Sequence, residues 1–336
     1  MTTKMTPPPF APTRRTLLAG GVALAAATPL LRPASALAQP AAKITELRLD
    51  YATYSPVSLL LKDKGWLEEE LKADGIGVRW VQSLGSNKAL EFLNAGSLDF
   101  GSTASAAALL GRIGGNPIRS VYVYSKPEWT ALVVPAESPA KTIADLKGKR
   151  IAVTRGTDPH IFLVRALAGA GLTQDDVKLV LLQHPDGKQA LLRGDVDAWA
   201  GLDPLMAAAE IENGARLLYR NPAFNSWGAL NVREAFAAEN PGVVQKVLAA
   251  YEKARTFAQG DPDALAASLT AQTKLADAVV AKQLQRTDLS QGHLKPAQAD
   301  SVVASGLAMQ QVGLIEAGVD VRKAAAELVD SRFAVG

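Results

Sequence analysis

Apolar and polar residues alternate along ITELRLDYA, residues 44–52, at the two-residue spacing of a half-buried strand. Ser55-Pro56 then marks a helix start, and VSLLLKDKGWLEEEL continues at helical spacing with an interruption at Gly65. VRWVQS, DFGS and SVYVYS (120–125) read as further strands between helical stretches, and EWTALVVPAES reads as an extended link. Residues 142–220 repeat the series: TIADLKGK, the strand RIAVTRG, the helix DPHIFLVRALAGAG, the strand KLVLLQH, the helix GKQALLRG, the strand DAWAG, the helix PLMAAAEIENG and ARLLYR. From residue 236 the pattern is almost wholly helical, and PGVVQKVLAAYEKARTFAQ carries an apolar stripe of Val244, Val247, Leu248, Tyr251 and Ala258. Strands alternating with helices predict α/β sheets with parallel strands. Two such series, joined by extended stretches at 125–134 and 225–232, predict two lobes that can close about a doubly crossed hinge.

One phrase occurs twice. NAGSLDFGSTAS (94–105) and RGDVDAWAGLDP (193–204) share Gly-x-aliphatic-Asp, and Ala89-Leu90 precedes the first copy as Ala190-Leu191 precedes the second. Gly96 and Gly194 thus hold equivalent places, each as the left-handed residue that ends a helix before a short buried strand. In sheets of this kind ligands sit beyond the carboxyl ends of the strands.

The first 38 residues change the charge balance. Lys4, Arg14, Arg15 and Arg32 occur there without any acid, and the apolar run at 17–27 is shorter than the roughly 20 residues that span a bilayer. A basic start, a short apolar centre and Ala36-Leu37-Ala38 predict an export signal cut after Ala38, and TRRTLLAG at 13–20 resembles a twin-arginine signal. Of 36 bases four leave with it, so 32 remain against 33 acids, a mature net charge of −1 that gives no support to nucleic-acid or anionic-membrane binding. Cysteine is absent, which excludes a disulfide framework, a thiol nucleophile and a lipid-bearing cysteine. The expectation is a soluble periplasmic protein, monomeric, with about 300 residues in two lobes.

Four loops at strand ends face the expected cleft: Thr53-Tyr54-Ser55, Ser83-Leu84-Gly85-Ser86-Asn87, Ser102-Thr103-Ala104-Ser105 and residues 154–160. Helix N-termini present unpaired amides and the positive end of the helix dipole, so several converging on one cleft make an anion site. Candidate contacts are Tyr54, Ser86, Thr103, Ser105, Arg155, Gly156, Thr157, His160, Asp203 and Trp227, with Trp129 and Trp199 as further aromatic walls. Arg155, always charged and planar, is the sharpest candidate for an anionic head, alongside the amides of Gly156, Thr157 and Ser105. Asp158-Pro159 and Asp203-Pro204 read as helix caps, and Asp158 would also set a carboxylate beside the ligand.

Residues 44–334 resemble the periplasmic substrate-binding proteins of ABC importers for aliphatic sulfonates, taurine and nitrate. The resemblance is carried by LEFLNAGSLDFGSTASAA, SPAKTIADLKGKRIAVTRGTDPHIFLVRAL, LLRGDVDAWAGLDPLMAAAE and LVDSRF. It implies a type II periplasmic binding protein fold, with lobe one at 43–126 and 227–336 and lobe two at 127–226. It implies a small anion such as an alkanesulfonate held between the lobes, no cofactor, and delivery to a membrane permease with its ATPase. His160 matches a histidine of the family, whereas Asp158 stands where a small neutral residue is usual and Leu202 where relatives carry tryptophan. The aspartate leaves room for a zwitterion such as taurine. Nitrate, a thiamine pyrimidine precursor and a sensor role remain as alternatives. Enzymes on this scaffold use cysteine, and here His160, His184 and His293 are too scattered for a zinc triad, with no Gly-x-Ser-x-Gly elbow and no phosphate loop.

Overall fold

The computed structural model describes residues 44–333, so the segment expected to be an export signal and the chain's last three residues lie outside the described residues. Eleven strands are present among them: β1 (Glu46–Tyr51), β2 (Gly77–Gln82), β3 (Phe100–Ala104), β4 (Ile118–Pro127), β5 (Leu132–Val134), β6 (Arg150–Val153), β7 (Lys178–Leu181), β8 (Ala198–Ala200), β9 (Arg216–Tyr219), β10 (Gly228–Arg233) and β11 (Thr287–Asp288). They form two sheets, ordered β11-β4-β10-β3-β1-β2 and β7-β6-β8-β5-β9. Apart from β11 the orders correspond strand for strand, and each sheet has one antiparallel member placed third from its β1 or β6 side. That member, β10 in the first lobe and β5 in the second, is the strand with which the chain enters after crossing between lobes. Two α/β lobes joined by two crossovers, with a helical C-terminal region, make this the type II periplasmic binding protein fold.

Alternation in the sequence becomes two-sided burial. In β1, Leu47 and Leu49 are fully buried and pack with the helix Pro56–Lys64 and the long helix Pro241–Gly260. Val244, Val247, Leu248, Tyr251 and Ala258 are all buried along that helix, as its apolar stripe predicts. The second lobe places Ile151, Val153, Phe162 and Leu163 on one side of its sheet and Ala152, Leu191, Trp199 and Met206 on the other. Trp199, expected as a cleft wall, is a core residue of this second layer.

The repeated phrase is a staple. Arg48 in β1 donates from its amide, Nε and Nη2 to Asp99, and from Nη1 to the Gly96 carbonyl at 2.6 Å. Arg150 in β6 donates from its amide, Nε and Nη2 to Asp197, and from Nη2 to the Gly194 carbonyl at 3.2 Å. Gly96 and Gly194 have φ of 68° and 78°, which turns each chain out of its helix so that the glycine's own carbonyl meets the arginine. Each phrase thus locks one strand to its parallel neighbour, β1 to β3 in the first lobe and β6 to β8 in the second.

The C-terminal region holds one departure from the helical pattern. After the helix Asp277–Gln285 the chain adds β11, whose Thr287 and Asp288 pair antiparallel with Pro127 and Lys126 at the end of β4. That helix also packs across the lobes, with Val279 against Ala207 and Ala208 of the helix Leu205–Asn213. No helix among the described residues is long and apolar enough to cross a membrane.

Candidate functional site

Five helices begin where strands end: Pro56–Lys64 after β1, Ser86–Asn94 after β2, Ser105–Ile113 after β3, Asp158–Gly169 after β6 and His184–Arg193 after β7. The last of these corrects the sequence reading, in which β7 ran through His184. Instead β7 stops at Leu181, Gln183 caps the helix, and Pro185 sits in its first turn, where a missing N–H costs nothing.

These starts meet between the lobes. Gly85, which precedes Ser86–Asn94, lies against the His184 ring, and Gly156 lies against Asn87. Tyr54 of lobe one meets Trp129 edge-on at 5.9 Å, and Ile161 and Leu202 pack with both. At the mouth, Asn87 faces Thr154, Arg155, Leu181, Leu182, Gln183 and Asp186 around a pocket of about 330 Å³. Lining from both lobes means that opening the hinge takes the pocket apart.

The predicted contacts fall into three groups. Gly156, at φ 76°, and Arg155 are at this mouth, with Arg155 exposed and also bordering a second pocket of about 490 Å³ with Gln174, Asp175, Val177 and Leu179. His160 turns to that second pocket's side, with Nε2 3.1 Å from Gln174 Oε1, and burial holds it below the usual histidine range. Several others are spent on the fold. Tyr54 Oη donates to the Ser102 carbonyl at 2.9 Å, Ser86 Oγ accepts from the Ala104 amide, Thr157 Oγ1 donates to the Thr154 carbonyl, and Thr103 Oγ1 accepts from Asn231. The Ser105 amide, expected to hold an anion, donates instead to the Trp227 carbonyl at 2.8 Å. Trp227 is half-buried with the Lys126 ammonium 5.4 Å from its ring centre, so it belongs to the hinge end of the cleft.

A third group retains unpaired polar atoms. Ser55 Oγ, Ser102 Oγ, Ser105 Oγ, Asn87 Oδ1, Gln183 Oε1 and both His184 ring nitrogens are buried without a hydrogen-bond partner among the described residues. Of these, Asn87 and Gln183 line the pocket at the mouth, and His184 lies against Gly85 beside them. Asn87, Gln183 and His184 were absent from the sequence-derived set. The signal for the last two was Gln-His-Pro after an apolar strand, the same strand-to-helix junction that marked the other loops.

Both aspartates read as caps hold the hinge. Asp158 is the first helical residue, not the cap, which is Thr157. Its carboxylate accepts from Trp129 Nε1 at 2.8 Å and from the Ser226 amide and Oγ, both at 2.9 Å, and so ties one crossover to the other. Burial raises its pKa, offset by those donors. Asp203 Oδ1 does cap the following helix through the Ala207 amide at 2.9 Å, but the carboxylate also pairs with Arg286 at 3.4 Å, and Arg286 reaches Glu210 as well. Both carboxylates are engaged by donors of the fold itself. Asp158→Asn is therefore expected to shift affinity for taurine and for ethanesulfonate by the same factor. It should also lower stability by about 1–3 kcal/mol, because the amide N–H₂ would face a donor. Calorimetry with both ligands checks this, and opposite shifts would return Asp158 to the site.

Two sheets of matched strand order, two crossovers laced by buried carboxylates, and unpaired polar atoms from both lobes meeting in one cleft define a two-lobed ligand-binding protein. The chain belongs to the NMT1/THI5-like family, whose model matches residues 57–265. It is 32% identical over 267 residues to a putative aliphatic sulfonates-binding protein of Escherichia coli, covering 79% of this chain and 81% of that one. The alkanesulfonate-binding protein SsuA of Xanthomonas axonopodis pv. citri, solved bound to MOPS, superposes with a TM-score of 0.77 at 27% identity, covering 86% of this chain and 99% of that one. The periplasmic aliphatic sulphonate binding protein SsuA of E. coli superposes with a TM-score of 0.70 at 29% identity, covering 83% and 91%. These similar proteins are binding proteins rather than enzymes.

Proposed function

We propose that this protein is the substrate-binding component of an ABC importer, exported to the periplasm, where it captures a small organosulfonate-type anion between its lobes and hands it to a membrane permease with its ATPase. The observation that carries the reading is the meeting of helix starts from both lobes, Ser86–Asn94 against Asp158–Gly169 and His184–Arg193, around buried polar atoms that lack partners. Amides and the positive ends of helix dipoles favour an anion there without any proton chemistry. A sulfonate offers three acceptor oxygens and stays ionised, which suits the backbone amides of the helix starts, and the Asn87 and Gln183 carboxamides would meet it through their N–H₂ groups, not through the oxygens that are buried and unpaired here. Sulfonate-binding relatives of near-complete coverage point the same way. Binding in this reading is transport, not catalysis, and no residue at the cleft is assigned a nucleophilic or acid–base role.

The test is a thermal-shift and calorimetric screen of the mature protein against ethanesulfonate, taurine, nitrate, sulfate and a 4-aminopyrimidine. A sulfonate present at 100 times its dissociation constant is expected to stabilise the protein by about 2.7 kcal/mol. Stabilisation by the pyrimidine or nitrate alone would replace the sulfonate reading.

A further inference from the structure

His184 is 1% exposed, yet neither ring nitrogen has a hydrogen-bond partner among the described residues. Its ring edge meets the start of a helix from the other lobe. A Cβ built on Gly85 would lie 3.1 Å from His184 Cδ2 and Nε2 and 2.8 Å from Asn87 Oδ1, so only glycine leaves room for both side chains there. The backbone at Gly85 is extended, which any residue adopts, and the requirement is one of space alone. Asn87 Oδ1 and Gln183 Oε1, on either side of the closed cleft, are buried and unpaired as well. A buried polar atom without a partner costs on the order of 1–3 kcal/mol, so three such residues from two lobes would oppose closure unless a further group completes them, and an oxyanion does so through a His184 N–H and through the two carboxamides only once these turn their N–H₂ groups toward it.

We propose that His184 is a ligand contact and a specificity-determining residue: one ring nitrogen donates its hydrogen to an oxyanion oxygen of the bound ligand, beside the amides of Asn87 and Gln183, at the start of the helix Ser86–Asn94. The assignment rests on the organic-anion reading above and names the groups that recognise the head. Burial pushes the His184 imidazole down to about 3 in the ligand-free protein, where the ring is neutral with one N–H and one lone pair. Recognition is then by hydrogen bonds in a closed cleft, while the exposed guanidinium of Arg155 stays at the rim.

His184→Leu removes both unpaired ring nitrogens and leaves Asn87 and Gln183 unchanged. It is expected to hold or raise the melting temperature of the ligand-free protein while weakening ethanesulfonate binding roughly 10- to 100-fold. His184→Gln, which restores an uncharged donor, should bring affinity back to within about threefold. Should the leucine variant not fold, Gly85→Ala decides from the other lobe, because its methyl crowds the His184 ring and the Asn87 carboxamide without changing either and should weaken binding in the same way. Unchanged affinity in the leucine or alanine variant would overturn the role of His184 and leave the sulfonate reading standing. A wild-type protein that binds no sulfonate would overturn both.

Discussion

Asp99→Ala is expected to destabilise the protein by about 3–5 kcal/mol, whereas Asp197→Ala, at the matching place of the repeated phrase, should move the unfolding midpoint far less. The two aspartates make the same bonds to an arginine one strand away, but their surroundings differ. The Asp99 side chain is 2% exposed and receives a second cation, with Arg233 Nη2 at 2.6 Å in addition to Arg48 Nη2 at 2.7 Å. Removing it leaves two partly buried guanidinium groups and the Arg48 amide without their acceptor. Asp197 is 36% exposed and Arg150 45% exposed, so water replaces the lost bonds. Urea unfolding followed by circular dichroism would compare the two. Equal losses would mean that the staple's energy comes from its geometry, not its burial.

Arg286→Met is expected to cost about 3–5 kcal/mol near pH 8, because it strands Asp203 and Glu210 in the hinge. Arg286 and Asp203 are both buried and come from opposite sides of the crossovers, and the Arg286 carbonyl also accepts from the Glu128 amide at 2.7 Å. Burial raises Asp203 to about 7 even with the guanidinium beside it. A carboxyl with a raised folded-state value contributes stability that is full below its unfolded value and is lost as pH rises through the folded one. Without Arg286 that value rises further, so the variant's deficit should shrink as pH falls from about 8 to about 5. Melting temperatures of both proteins at each pH check it, and a deficit independent of pH would refute the assignment. Adding Asp203→Asn and Glu210→Gln should recover much of the loss, since a charge-free, packed replacement of a buried pair is near neutral.

Local pattern was enough to determine the two lobes and the crossovers that join them. Strand period, Gly96 and Gly194 at helix ends, and prolines in the first turns of helices each act through neighbours in the chain, and burial in the folded protein follows them. The repeated phrase could be read as equivalent places without the arginines that make it a staple, because Arg48 and Arg150 lie more than forty residues from their partners. Distance along the chain also hid the fates of the polar candidates. Asp158 looked like a cap with charge to offer, and only the fold brings Trp129 and Ser226 to it from the two crossovers. Asp203 looked available until the chain returned 83 residues later with Arg286. Conversely, His184 was absorbed into an apolar strand: Gln-His-Pro marks a helix start locally, but only the tertiary fold sets that histidine against Gly85 across the cleft. Backbone conformation is governed by residues a few positions away. Whether a polar side chain is paired, exposed or left unpartnered depends on which groups the tertiary fold sets within about 3 Å of it.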